Sequence, residues 1–260
     1  MRQSIGYYSD NMSTMATMPV LNVNDGKNST NERLVAHIRG RIKNKCETTE
    51  QEKVKREPFS FVSGTGKWDV APEEFSRRIE ANIRPIARSE READMLIDAI
   101  FARIEFPAGE SGGDHHTLYF QDYNVRTSAA IAFSANFPEL RELLRTQHIR
   151  DRIKDKCEAT EQEKIGREGA SYFMHGTGSW DISSDEFSRR IEANLLPVAR
   201  SEQEANVLID AIFAKIEFTP GADSCGDHHA GYWQEYNIST RAAIEFSANI
   251  PELQKLLRTQ

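Results

Sequence analysis

Apolar side chains at Leu34, Val35, Ile38, Ile42 and Cys46 recur at helical spacing between residues 31 and 57, and charged side chains fill the positions between them. This is the pattern of an amphipathic helix, which Gly40 alone interrupts. A break follows at PFSFVSGTGKWD, where Gly-Thr-Gly forces a turn and the flanking aromatics predict a short strand. Pro72 suits the first position of a second helix, whose inner face is Phe75, Ile79 and Ile83, and Pro85 ends or kinks it. Ser89 with Glu92 forms a capping box for a third helix, with Ala93, Leu96, Ile97, Ile100, Phe101 and Ile104 facing inward. A Gly-rich loop, a short strand at LYFQDYN, a small-residue helix capped by Thr127 and a last helix carrying Leu140, Leu143 and Leu144 complete the pattern.

The pattern then begins again. HIRGRIKNKCETTEQEK at His37 returns as HIRDRIKDKCEATEQEK at His148, EFSRRIEAN at Glu74 returns at Glu186, and GDHH at Gly113 returns at Gly226. Roughly two thirds of positions match, and both copies close on LLRTQ, at Gln147 and Gln260. Ser183 with Glu186 caps the helix that Pro72 starts in the first copy. A period this long exceeds that of solenoids and suffices for a small domain. The expected division is a polar, unstructured tail at 1–30, one domain at 31–147 and a second at 148–260. The fold class expected is mainly α: a tandem duplication of a small helical domain, with a short β-hairpin in each copy. From about 138 to 168 the only breaker is Gly166. At about 100° per residue, Ile153 sits about 180° from Leu144. One continuous helix would therefore serve two cores.

Lys+Arg 33 against Asp+Glu 40 gives a net charge of -7, which argues against general nucleic-acid binding. No apolar run approaches the roughly 18–20 residues of a membrane span. Three cysteines cannot form a disulfide framework. Cys46 and Cys157 extend apolar stripes as core thiols, whereas Cys225 stands where the first copy has Gly112. Residues 1–30 are rich in Ser, Asn, Thr and Met and lack the basic and apolar segments of a cleaved signal peptide. The stretch resembles the polar leaders of bacterial specialised secretion systems. A soluble protein is expected, cytoplasmic or exported without cleavage.

Asp114, His115 and His116, repeated as Asp227, His228 and His229, supply carboxylate and imidazole groups fit to ligate a divalent transition metal. The tripeptide resembles the Asp-His-His signature of a phosphoesterase family, whose further Asp and His motifs this chain lacks. A metal site would have to recruit His37 or His148 and a carboxylate such as Glu105 or Glu217. The alternative is a loop whose Asp caps a helix and whose histidines pack. His175-Gly176-Thr177 resembles the nicotinamide-holding motif of diphtheria-toxin-like ADP-ribosyltransferases. The first copy has Ser63 in place of His175, so the resemblance implies activity in one copy at most. The same glycine turn serves equally to fold Trp68 or Trp180 onto the core. Arg77-Arg78 and Arg189-Arg190 can clamp an anionic group, or form a solvated face with Glu80 as helical partner. The first helix is also more basic in copy one than in copy two, which suits an anionic partner.

Two functions from different classes follow. One is a bivalent protein-interaction module, in the manner of a secreted effector acting on a host protein. The other is an enzyme, either a metal-assisted hydrolase on the Asp-His-His loop or an ADP-ribosyltransferase in copy two, with His115, His228 and His175 as catalytic candidates.

Overall fold

The computed structural model describes residues 24–56, 66–109, 122–168, 178–221 and 235–259, and these are mainly helical. α1 spans Asn24–Arg56, α2 Pro72–Ile83, α3 Glu90–Phe101 and α4 Ser128–Ser134. α5 spans Phe137–Glu168, α6 Ser184–Leu195, α7 Glu202–Phe213, α8 Arg241–Ala248 and α9 Ile250–Arg258. β1 (Glu217–Pro220) and β2 (Tyr236–Ser239) pair antiparallel, with Phe218 opposite Ile238. The corresponding stretch before α4 makes isolated bridges at Glu105–Arg126 and Ala108–Tyr123 rather than a regular hairpin. α1 begins at Asn24, within the stretch expected to lack structure. No helix among the described residues is long and apolar enough to cross a membrane.

Local chemistry sets the helix starts. Ser89, Ser183 and Ser201 each accept a hydrogen bond from the backbone N–H three residues on, and Pro72 opens α2. The return bond of the capping box is displaced by one residue. Glu92 accepts from the backbone N–H of Arg88 at 2.7 Å, and Glu204 from that of Arg200 at 2.6 Å. Thr127 and Thr240 do not cap their helices by side chain. Their hydroxyls instead donate to Asp69 at 2.8 Å and Asp181 at 2.7 Å, and each Asp also accepts the threonine's backbone N–H. These threonines are fully buried, so the aspartates satisfy donors that would otherwise be stranded.

The apolar faces build two separate cores. The first gathers Ile38 and Ile42 of α1, Phe75, Ile79 and Ile83 of α2, Leu96, Ile97 and Ile100 of α3, and Leu140 and Leu144 of α5. The second gathers Ile149, Ile153 and Cys157 of α5, Phe187 and Ile191 of α6, Leu208, Ile209 and Ile212 of α7, and Leu253 of α9. α5 thus contributes one face to each core. Trp68 lies 6.0 Å from Phe75, and Phe75 meets Phe101 edge-on at 5.4 Å. The second core repeats this with Trp180, Phe187 and Phe213 at 5.9 and 5.4 Å. Cys46 and Cys157 are buried, each 3.6 Å from a serine hydroxyl, and burial pushes both thiols up from their usual range. They are poor nucleophiles in that state.

Candidate functional site

α1 and α5 each carry, close to their C-terminal ends, a lysine that looks like an ordinary solvated residue of a charged helix. Lys53 and Lys164 are instead buried, 5% and 6% exposed. A buried ammonium is costly unless it is paired and hydrogen-bonded. Lys53 pairs with Glu50 one turn earlier and donates to the carbonyl of Gly66 at 3.0 Å. Lys164 pairs with Glu161 at 2.8 Å and donates to the carbonyl of Gly178 at 2.7 Å. The same carboxylates accept the indole N–H groups of Trp68 and Trp180, both at 2.7 Å. Burial alone would raise the carboxyls of Glu50 and Glu161. The bonds from lysine and tryptophan and the lysine's charge outweigh it and hold both below the usual range.

This network ties the chain at Gly66 to the end of α1 and at Gly178 to the end of α5. Trp68 bridges Val125 in parallel, and Trp180 bridges Ile238 in the same way. The approach at Gly66 is close enough that a Cβ there would lie 1.9 Å from the Tyr123 carbonyl oxygen. Only glycine fits such contact. On the other side, Gly109 donates to the Asp122 carbonyl and Gly221 to that of Glu235, both at 2.5 Å. The points of attachment of residues 57–65 and 110–121, and of 169–177 and 222–234, therefore lie together at the end of each first helix.

The outer surface of this end is apolar and cationic. Val54 is 51% exposed and Ile165 49%. Two residues further along each helix, about 160° round it from the aliphatic side chain, Arg56 stacks over Phe106 and Arg167 over Phe218, each with the guanidinium 4.5 Å from the ring centre. Each arginine is also steadied by a glutamate one turn earlier, Glu52 at 2.6 Å and Glu163 at 2.7 Å. The aliphatic residue and the stacked arginine thus occupy two faces of the helix end, each of a kind used in contact with protein. Among the described residues at this end, the Lys53–Glu50–Trp68 and Lys164–Glu161–Trp180 groups are engaged with one another.

Asp114, His115, His116, Asp227, His228, His229, His175, Ser63 and Cys225 lie outside the described residues. Among the described residues no cluster of three His, Cys, Asp or Glu side chains can hold a metal ion. His37 bonds Asp94 at 2.8 Å and His148 bonds Asn206 at 3.0 Å. Glu105 lies beside Phe106, which stacks on Arg56 at the far end of α1 from His37. At 1.5 Å per residue, positions 37 and 56 of one helix are about 28 Å apart along its axis, so His37 and Glu105 do not converge.

The paired arginines are spoken for by their own helix. Arg77 and Arg78 both bond Glu74, and Arg189 and Arg190 both pair with Glu186. Glu80 is not their partner, because α1 packs against α2 and its Arg39 takes Glu80 at 2.8 Å. The basic face of α1 is engaged in part, while Lys43 and Lys55 stay exposed. Arg41 and Lys45 meet Asp98 at 3.1 and 2.9 Å, and Lys53 is buried. No protein-family model, no curated protein and no solved structure matches this chain.

Proposed function

We propose that the chain is a tandem duplication whose copies form a bivalent, non-enzymatic protein-interaction module. The observation that carries this reading is the recurrence of one pattern at a helix end: exposed Val54 and the Arg56–Phe106 stack on α1, and exposed Ile165 and the Arg167–Phe218 stack on α5. An aliphatic residue about half exposed is only partly used by the core, yet one directly follows the buried lysine in both helices, Val54 after Lys53 and Ile165 after Lys164. Two such surfaces on one chain raise apparent affinity by about 10²–10⁴ over a single contact when the partner offers two sites at matching spacing.

The test begins with a photo-reactive amino acid at position 54 or 165, which identifies by mass spectrometry the protein cross-linked in cells. Binding of that purified partner is then measured for Val54→Glu, Ile165→Glu and the double variant. Each single change should weaken binding to the level of one contact, and the double should abolish it. Binding that is indifferent to all three would remove this surface from the function.

A further inference from the structure

Among the described residues the two buried cores share no member, and α5 is the element that contributes to both. Among the described residues, polar links between the two parts converge on three arginines. Arg88, in the loop before α3, reaches Glu202 in the first turn of α7, with one bond at 3.0 Å and a second, shorter one. Its other partner is Glu92 in the first turn of α3, at 2.9 Å. Arg91 of α3 pairs with Asp151 of α5 at 2.7 Å. Arg145 of α5 donates to the carbonyls of Leu196, at 3.1 Å, and Ala199, which close the turn after α6. The Arg88 guanidinium holds the Glu202 carboxyl below its usual range, and His148 adds to this.

These contacts join α3 to α5 and α7 and the middle of α5 to the turn after α6. They triangulate the joint from two sides of the helix. Arg200 occupies the place of Arg88 in the second half, where its side chain has no ion pair among the described residues. We infer that Arg88, Arg91 and Arg145 form an electrostatic latch that locks α5 straight at the joint and sets the angle between the two cores. With the latch open, α5 alone joins them and bends about residues 145–151. The Arg88–Glu202 and Arg91–Asp151 pairs are ionic and partly exposed, so salt loosens the latch through them, whereas the Arg145 bonds go to backbone carbonyls. The Debye length falls from about 8 Å at 0.15 M to about 3 Å at 1 M, and the exposed pairs weaken with it. This inference stands apart from the identity of any partner, because it concerns geometry within one chain.

Spin labels at Lys43→Cys and Lys154→Cys test it. Both side chains are more than three-quarters exposed and lie on α1 and on the second half of α5. Cys46 and Cys157 are buried, and Cys225 is replaced by Ser in the labelled protein. Pulsed dipolar spectroscopy at physiological salt should give one narrow distance. Arg88→Gln with Arg91→Asp should lose that narrow distribution, and adding Asp151→Arg should recover it by restoring the pair with reversed sign. Salt at 1 M should broaden the parent and leave its helical circular dichroism unchanged. A distance distribution that stays narrow in Arg88→Gln/Arg91→Asp would show that the helix alone sets the angle and would overturn the latch. So would a failure of Asp151→Arg to narrow it, when helical content and melting temperature match the parent.

Discussion

The indole N–H of Trp180 donates to the Glu161 carboxylate at 2.7 Å, and that carboxylate holds the buried ammonium of Lys164 at 2.8 Å. The pair is asymmetric in burial, since the lysine side chain is 7% exposed and the glutamate 36%. Removing the glutamate strands a charge, whereas removing the lysine frees an acid that water can still reach. Glu161→Ala should therefore cost about 2 kcal/mol, below the 3–5 kcal/mol of a fully buried pair because Glu161 is partly solvated. Lys164→Met should cost under about 1 kcal/mol, because an apolar chain of similar length fills the space. Urea unfolding checks both, and equal costs would contradict this division of labour.

Acid should unfold the protein through the paired carboxylates. Glu50, Glu142, Glu161, Glu202 and Asp210 are all held below their ordinary range by lysine or arginine neighbours. A group whose folded pKa is depressed binds its proton more readily when unfolded. Its stabilisation is complete above the unfolded pKa, near 4 for these groups, and is lost as pH falls through the lower folded value. The melting temperature should fall steeply below about pH 4. Glu50→Gln with Glu161→Gln should lower stability at neutral pH and flatten that acid limb. An unchanged limb would place the acid sensitivity elsewhere.

What was legible in the sequence was what acts locally. Ser89, Ser183 and Ser201 bond within their own first turn, Pro72 needs only its ring, and the aliphatic stripes of α2 and α3 face inward by spacing alone. The partner of Arg77 and Arg78 was not legible. Glu74 and Glu80 both lie at helical spacing from Arg77, and only the packing of α1 on α2 gives Glu80 to Arg39. Nor was the burial of Lys53, which in α1 reads like Lys55. One signal was present: Lys53 stays lysine at Lys164, with Glu three residues before and Trp after the glycine turn in both places, whereas Lys55 becomes Gly166. Contacts such as Arg88 with Glu202 join positions that share no local pattern, so only the fold brings them together.

Asp181 should prove as important as any core aliphatic residue. It receives both the backbone N–H and the hydroxyl of Thr240, which is fully buried. Asp181→Ala leaves both donors without a partner, at about 1–3 kcal/mol for each stranded group. A loss of about 2–4 kcal/mol is expected in urea unfolding, with Asp69→Ala costing a similar amount through Thr127. Deleting both partners at once with Asp181→Ala/Thr240→Val should cost less than the sum of the single changes. Additive losses would show that the two groups do not act through each other.

The interaction reading makes a prediction for metal content. The protein purified without added metal should carry well under one equivalent of any transition metal by elemental mass spectrometry. His115→Ala with His228→Ala should leave both that content and the melting temperature unchanged. One or two equivalents lost in the double variant would instead establish a metal site built on Asp114-His115-His116 and its repeat. Hydrolysis would then become the reaction to assay.

The glycines offer a control in which one substitution takes opposite signs within a single chain. Gly40 and Gly166 lie inside α1 and α5, and a Cβ at either would meet nothing within 4 Å. Alanine there restricts the unfolded chain and favours the helix, so each change should stabilise by about 0.5–1 kcal/mol. Gly66 is the reverse case, because its Cβ would collide with the backbone of Tyr123, which is held by the bridge from Trp68 to Val125. Backbone cannot step aside as a side-chain tip can. Gly66→Ala should therefore break the bridge, withdraw the carbonyl that Lys53 bonds, and cost more than about 2 kcal/mol. Thermal melts of the three variants decide it. If Gly66→Ala proved as harmless as Gly166→Ala, the close approach of the two segments, and with it the seat of Lys53, would be wrong.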